Sequence, residues 1–112
     1  MKTTADFGAF LALDIRIGTI VSAEPSQTKK PTWRMTIDFG PEIGRRVSCG
    51  AYTNYDPAEL VGKQVVAVLN FGPKKMGPET SDALVLGVQN PRGDGTVLLT
   101  LDQPAPDGSE IF

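Results

Sequence analysis

Three observations predict an all-β fold for this chain, a five-stranded barrel in Greek-key order. Residues 13–51 carry successive runs of period-two alternation, separated by turns containing Gly and Pro. A capped helical turn at Asp56–Gly62 then interrupts the strands and leads into the apolar run Gln64–Phe71. A loop rich in Gly and Pro joins that run to another strand. A strand meander, a helical turn and a strand hairpin, in that order, is the layout of an OB-fold. Such barrels serve mainly as binding platforms for oligonucleotides and oligosaccharides and have no built-in catalytic chemistry.

The elements follow in order. Thr3 or Thr4 can cap a short helix within residues 1–12, on which Phe7, Phe10 and Leu11 share one face. The barrel is predicted over residues 13–88. In its first strand Leu13, Ile15, Ile17, Thr19, Val21 and Ala23 alternate with Asp14, Arg16, Gly18, Ile20, Ser22 and Glu24, and Gly18 marks a bulge or bend. Pro25 to Pro31 forms a polar loop. The second strand sets Trp33, Met35, Ile37 and Phe39 against Arg34, Thr36 and Asp38. The third sets Arg45, Val47, Cys49 and Ala51 against Arg46, Ser48 and Gly50.

Asp56 as N-cap, Pro57 at the first helical position and Glu59 as capping-box partner start the central helical turn, and Gly62 ends it. The fourth strand, Gln64 to Phe71, has the near-continuous apolar character of a strand buried on both faces. Asn70 to Asp82 is expected as a loop, Ala83 to Val88 as the fifth strand, and Val97 to Leu101 as a last strand. That last strand lies in a C-terminal extension, residues 89–112, whose tail from Gln103 is expected to pack as extended chain. The 112 residues form a single domain without repeat or linker.

Composition removes whole classes of chemistry. With no histidine there is no Ser-His or Cys-His nucleophile pair and no histidine-ligated metal site. The single cysteine, Cys49, excludes an internal disulfide and a cysteine zinc cluster, and it suits a reducing, cytoplasmic environment. No cofactor, no metal and no enzymatic activity are expected. No apolar run has the length of a membrane span, and the Met1–Asp6 stretch lacks the apolar region of a signal peptide. Neither membrane insertion nor secretion is expected.

Net charge is −2, but the charge is polarised. Residues 16–75 hold nine basic side chains against five acidic ones, whereas residues 76–112 hold only Arg92 against six acids. A basic patch attracts phosphate through its local field, whatever the total charge.

In an OB-fold, ligands lie across the second and third strands, clamped by the loops joining strands 1 and 2 and strands 4 and 5. Those loops carry Lys29-Lys30 and Lys74-Lys75 here, and the strands add Arg34, Thr36, Arg46 and Ser48. With Ser81, these groups converge on one surface suited to phosphate and ribose oxygens. Lysine pairs in loops are in general solvated charge; the convergence of separate segments is what points to nucleic acid. Tyr52 and Tyr55 are available for stacking or for packing. Trp33 and Cys49 fall on the apolar alternates, where packing in the core explains them.

The segments Asp14-Ile15-Arg16-Ile17-Gly18-Thr19, Tyr55-Asp56-Pro57-Ala58-Glu59-Leu60-Val61-Gly62, Asn70-Phe71-Gly72-Pro73-Lys74-Lys75-Met76 and Ser81-Asp82-Ala83-Leu84 resemble the tRNA-binding domain family. The resemblance runs from about Phe10 to the C-terminus. That family includes free-standing tRNA-binding proteins and domains appended to aminoacyl-tRNA synthetases. It is strongest toward the short, stand-alone, homodimeric members described as chaperones linked to secretion.

The family pattern Pro-x-Lys-Met followed by Ser-x-Gly/Ala-Met falls on Pro73, Lys75, Met76, Ser81, Ala83 and Leu84. It implies Lys75 and Ser81 as RNA contacts. Leu84 stands where the pattern has methionine, as in the short stand-alone members, and Pro78 where glycine is common.

The resemblance thus implies a non-enzymatic homodimer that binds tRNA or other structured RNA. Its alternative is a chaperone for unfolded precursor proteins that works with export machinery, using an apolar groove at Met76, Phe71 and Leu84. For the dimer seam, the chain offers Phe7, Phe10 and Leu11 together with Leu99 and Leu101.

Overall fold

Side-chain alternation builds a sheet only where strands find partners, and here the partners come from distant segments. The computed structural model covers residues 1–112. Its elements are α1 (Phe7–Leu11), β1 (Ile15–Pro25), β2 (Trp33–Asp38), β3 (Arg45–Gly50), α2 (Pro57–Leu60), β4 (Gln64–Val68), β5 (Lys74–Met76), β6 (Glu79–Ser81), β7 (Leu84–Val85), β8 (Gly87–Gln89) and β9 (Thr96–Leu98). Five of the strands form one antiparallel sheet in the order β3-β2-β1-β4-β7. The sheet curls until its ends meet: the Asp82 N–H donates to the Val47 carbonyl at 2.9 Å. In return the Val47 N–H donates to Asp82 Oδ1 at 2.8 Å. This nearly closed five-stranded barrel is the predicted OB-type fold.

β2 follows the expected alternation, with Met35, Ile37 and Phe39 buried in the barrel interior. They join Ile20, Tyr52, Leu60, Val65, Ala67, Leu69, Ala83 and Val85 in one core.

β1 reverses the expected phase. Ile15 and Ile17 lie outside the barrel, in a second cluster with Val66 and Val68, whereas Ile20, assigned to the polar alternate, is fully buried inside. The reason is that both faces of β1's first half are covered. Leu13, Leu86, Leu101, Ala105 and Ile111 pack over Ile15 and Ile17 from outside. The tail also pairs with β1 as extended chain. The N–H groups of Gly108 and Ile111 donate to the carbonyls of Ile17 and Ile15, and the Ile17 N–H donates to the Ser109 carbonyl. An edge that β2, which joins β1 only from Thr19 onward, leaves open is thereby closed. The register shift lies between Ile20 and Ser22 rather than at Gly18. Gly18 has a different use: a Cβ there would sit 2.6 Å from the Phe39 ring and 2.8 Å from the Asp38 carbonyl oxygen.

β3 reverses too. Its register places Ser48 opposite Met35 and Arg46 opposite Ile37, on the inner face, and Cys49 opposite Arg34, on the outer face. Cys49 is therefore not part of the barrel core. The β5–β6 hairpin buries it, with the Cys49 N–H donating to Ser81 Oγ at 3.3 Å.

Residues expected as a plain loop form this hairpin: Lys74 pairs with Ser81, Lys75 with Thr80 and Met76 with Glu79. Its turn is Gly77-Pro78, and Gly77 takes a φ of 66° that favours glycine.

The capping box at α2 is as read: Asp56 accepts from the Ala58 N–H, and Glu59 Oε1 accepts from the Asp56 N–H. β4 is buried on both faces but ends at Val68 rather than Phe71. The expected fifth strand breaks at Leu86 into β7, on the barrel, and β8, which pairs with β9 in a separate hairpin. α1 begins at Phe7 behind Asp6, not behind Thr3 or Thr4, and buries none of its residues. No helix is long and apolar enough to cross a membrane.

Candidate nucleic-acid interface

The β1–β2 loop is drawn into a tight form by its own threonines. Thr28 and Thr32 hydroxyls lie 2.6 Å apart, and Thr28 Oγ1 also donates to the Lys30 carbonyl at 2.6 Å. The Ser26 N–H closes the loop onto the Thr32 carbonyl at 3.0 Å. Lys29 and Lys30 are exposed on this loop. Across from it stands the tip of the β5–β6 hairpin. Together they wall an open cleft lined by Thr28, Lys29, Lys30 and Thr32 on one side and Met76, Gly77 and Pro78 on the other. The Lys29-Lys30 loop thus meets the tip of the lysine-bearing hairpin over one cleft, although Lys74 and Lys75 do not themselves line it. Lys74 and Lys75 are exposed on the hairpin's first strand.

The other predicted contacts do not all reach this surface. Arg34 lies on the outer face of β2, but its guanidinium is engaged: Nη1 lies 3.1 Å from Glu24 Oε1 and Nε 3.3 Å from Glu79 Oε2. Arg46 is half-buried on the inner face, where Nη1 donates to the carbonyls of Leu69 (3.1 Å) and Asp82 (3.3 Å). Ser48 is 2% exposed and its hydroxyl shares a 3.0 Å hydrogen bond with Tyr52. Ser81 Oγ accepts from Cys49 and donates to the Ala83 carbonyl at 3.4 Å. Arg46, Ser48 and Ser81 therefore close the barrel and seat the hairpin, and Arg34, Arg46 and Ser48 do not share one face as expected.

Burial raises the pKa values of Tyr52 and Cys49. The Ser48 hydrogen bond opposes the shift at Tyr52, while Glu79, accepting from the Cys49 thiol at 3.4 Å, adds to the shift at Cys49. Tyr55 is spent internally as well: its carbonyl accepts from the Trp33 indole and its hydroxyl from the Leu98 N–H. No aromatic ring lines the lysine cleft.

The groove proposed from the sequence separates into two places. Phe71 and Leu84, 64% and 50% exposed, line a small cavity with Val68, Lys74 and Ala83. Met76 lies at the lysine cleft instead. Of the expected dimer-seam residues, Phe7, Phe10, Leu11 and Leu99 are exposed, and the Phe7 and Phe10 rings stack at 6.1 Å. Leu101 is half-buried against the second apolar cluster. Sequence reasoning missed Glu24 and Glu79 as members of the site. Glu24 could have been found, since the strand pairing sets it directly opposite Arg34.

The chain is thus a small OB-type barrel whose β1–β2 loop and β5–β6 hairpin each carry a lysine pair. The chain belongs to the tRNA-binding domain family: residues 15–110 match the profile of the family described as "Putative tRNA binding domain". Among solved structures it is similar to the chaperone CsaA from Bacillus anthracis str. Ames, with 41% identity and a TM-score of 0.91. That match covers 98% of this chain and all (100%) of that one. It is also similar to the CsaA chaperone protein from Picrophilus torridus, at 37% identity and a TM-score of 0.89, over 97% of this chain and 100% of that one. Among curated proteins, the methionine–tRNA ligase of Methanococcoides burtonii is 36% identical over 111 residues, 98% of this chain. The chain spans only 16% of that ligase's length.

Proposed function

We propose that this chain is a non-enzymatic RNA-binding protein that takes tRNA or another structured RNA at the cleft between the β1–β2 loop and the β5–β6 hairpin. The observation that carries this reading is the meeting of Lys29-Lys30 with the hairpin bearing Lys74-Lys75 over one cleft. Lysines contribute to RNA affinity by neutralising phosphates and releasing counterions, with little demand for sequence. The absence of aromatic platforms in the cleft favours backbone and shape recognition of folded RNA over stacking of single-stranded bases. Family membership supports the same partner. The protein works in the cytoplasm, where tRNA is.

The test is fluorescence anisotropy with labelled bulk tRNA. Lys30→Ala and Lys75→Ala should each weaken binding and reduce the slope of log K against log salt by roughly 0.7–0.9, one phosphate contact apiece. Unchanged affinity and slope in both variants would defeat the assignment.

A homodimer is part of this reading. Phe7 and Leu11 are 69% and 66% exposed on a helix that buries nothing, an apolar face suited to an isologous contact. Light scattering should give twice the 12.0 kDa chain mass, and Phe7→Asp should return the monomer.

The second reading, a chaperone for unfolded precursor polypeptides serving export machinery, draws on the exposed Phe71–Leu84 cavity and on the similarity to the two CsaA chaperones. It predicts that Leu84→Gln, which adds no charge beside Lys74, abolishes suppression of a model substrate's aggregation while leaving tRNA affinity intact. Undiminished suppression in that variant would remove the cavity from the account.

A further inference from the structure

Arg34 is the one cation among the expected RNA contacts that lies on the outer face of the sheet yet is bound by carboxylates. Its row is set by register: Glu24 of β1, Arg34 of β2 and Cys49 of β3 stand side by side. Glu79 comes down over that row from the hairpin. The Glu79 side chain is 13% exposed; its Oε2 forms an ion pair with Arg34 Nε at 3.3 Å and accepts a hydrogen bond from the Cys49 thiol at 3.4 Å. A carboxylate so desolvated and so held attracts a guanidinium more strongly than an exposed partner does, because screening by water and salt is reduced. Glu24 accepts a hydrogen bond from Arg34 Nη1 at 3.1 Å but is 60% exposed, so water and salt screen it more than Glu79.

Resting on the RNA-binding reading above, we propose that Glu79 withholds Arg34 from RNA phosphate and so sets the affinity of the lysine surface. A phosphate approaching the lysine-bearing hairpin meets Arg34 already neutralised, and engaging it means breaking the Glu79 pair. The contact acts as a built-in attenuator: the barrel holds one more phosphate ligand than it presents. It also ties the hairpin to β2, so the residue that limits affinity helps Ser81 to seat the strand bearing Lys74 and Lys75.

A double-mutant cycle in tRNA anisotropy tests this. Glu79→Gln keeps the shape and an acceptor oxygen but removes the charge. It should tighten binding roughly 5- to 10-fold at ~0.1 M salt and steepen the salt slope by roughly 0.7–0.9, as one added phosphate contact does. Arg34→Gln alone should change affinity less than about twofold, because the guanidinium is not presented. In Glu79→Gln/Arg34→Gln the gain should vanish.

Should Glu79→Gln loosen the hairpin, Glu24→Gln releases the other guanidinium nitrogen without touching it. A smaller gain is expected there, again lost with Arg34→Gln. A Glu79→Gln gain that survives in the Arg34→Gln background is a general field effect and overturns the proposal, as does no gain in Glu79→Gln or Glu24→Gln. Wild-type binding without gain overturns this proposal alone. Absence of binding by wild type and all variants overturns the RNA reading along with it.

Discussion

Replacing Ser48 by alanine separates a residue that holds the barrel together from one that holds RNA. By sequence Ser48 belongs to the polar face of the third strand and would touch a ligand. In the structure it points inward opposite Met35, 2% exposed, and its oxygen lies 3.0 Å from the Tyr52 hydroxyl. Tyr52 is itself buried. Removing Ser48 Oγ leaves that phenol without its partner in a site water does not reach, and a buried unsatisfied hydroxyl costs about 1–3 kcal/mol. The accompanying loss of packing is small, since a single oxygen is deleted. For a domain of this size a urea m-value of about 1–2 kcal/mol/M converts that cost into a midpoint lowered by roughly 1 M. Trp33, the chain's single tryptophan, is half-buried with its indole bonded to the Tyr55 carbonyl, and its fluorescence reports unfolding. tRNA affinity should stay within about twofold of wild type, because Ser48, 2% exposed, offers no surface to a ligand. An unchanged urea midpoint together with a tenfold loss of tRNA affinity would show that β3 faces the other way and that Ser48 meets the ligand.

Other outcomes follow from the same geometry. Tyr52 and Cys49 have raised pKa values in the folded protein, so on alkalinisation the unfolded chain gives up these protons first. Their contribution to stability is complete below the unfolded values, ~8.5–9 for the thiol and ~10 for the phenol, and is lost as pH rises through the folded ones. Urea midpoints should therefore fall between pH 8 and pH 11, with Tyr52→Phe flattening the upper part of the decline; a decline of undiminished steepness in that variant would assign it to other groups. Ile17→Ala should cost about 2–5 kcal/mol, as a barrel-interior residue would, because the C-terminal tail seals its outer face. A cost below about 1 kcal/mol would mean that the tail does not stay in place. Asp56→Ala removes half of the capping box and should lower stability by about 1 kcal/mol in the same urea assay, with tRNA binding unaffected.

The sequence was most legible where one face of a strand is buried and the other is wet. β2 meets that condition, and its alternation reads correctly from Trp33 to Phe39. β1 does not: the tail covers Ile15 and Ile17 while the barrel interior takes Gly18 and Ile20, so hydrophobicity alone cannot tell inside from outside. The phase of β3 was hidden by satisfied polar groups. Arg46 spends its guanidinium on two carbonyls and Ser48 its hydroxyl on Tyr52, which lets both face inward where pattern reading sends them to solvent. The β5–β6 hairpin was obscured because its strands are three residues each and its Gly77-Pro78 turn gives the stretch a loop's composition. At the site, the lysine pairs and the loops that carry them were legible from spacing. The neutralisation of Arg34 by Glu79 was not, since it depends on how the hairpin folds back over β2 and β3.

The proposed RNA interface requires that the two lysine loops together form one phosphate-binding surface. Its most direct measurement is the salt dependence of tRNA affinity for the wild-type protein beside a variant with Lys29, Lys30, Lys74 and Lys75 all changed to alanine. If each lysine meets a phosphate, log K should fall with log salt at a slope of roughly −2.8 to −3.6 in the wild type and be nearly flat in the variant. Equal slopes in the two proteins, or no wild-type binding at low salt, would contradict the claim.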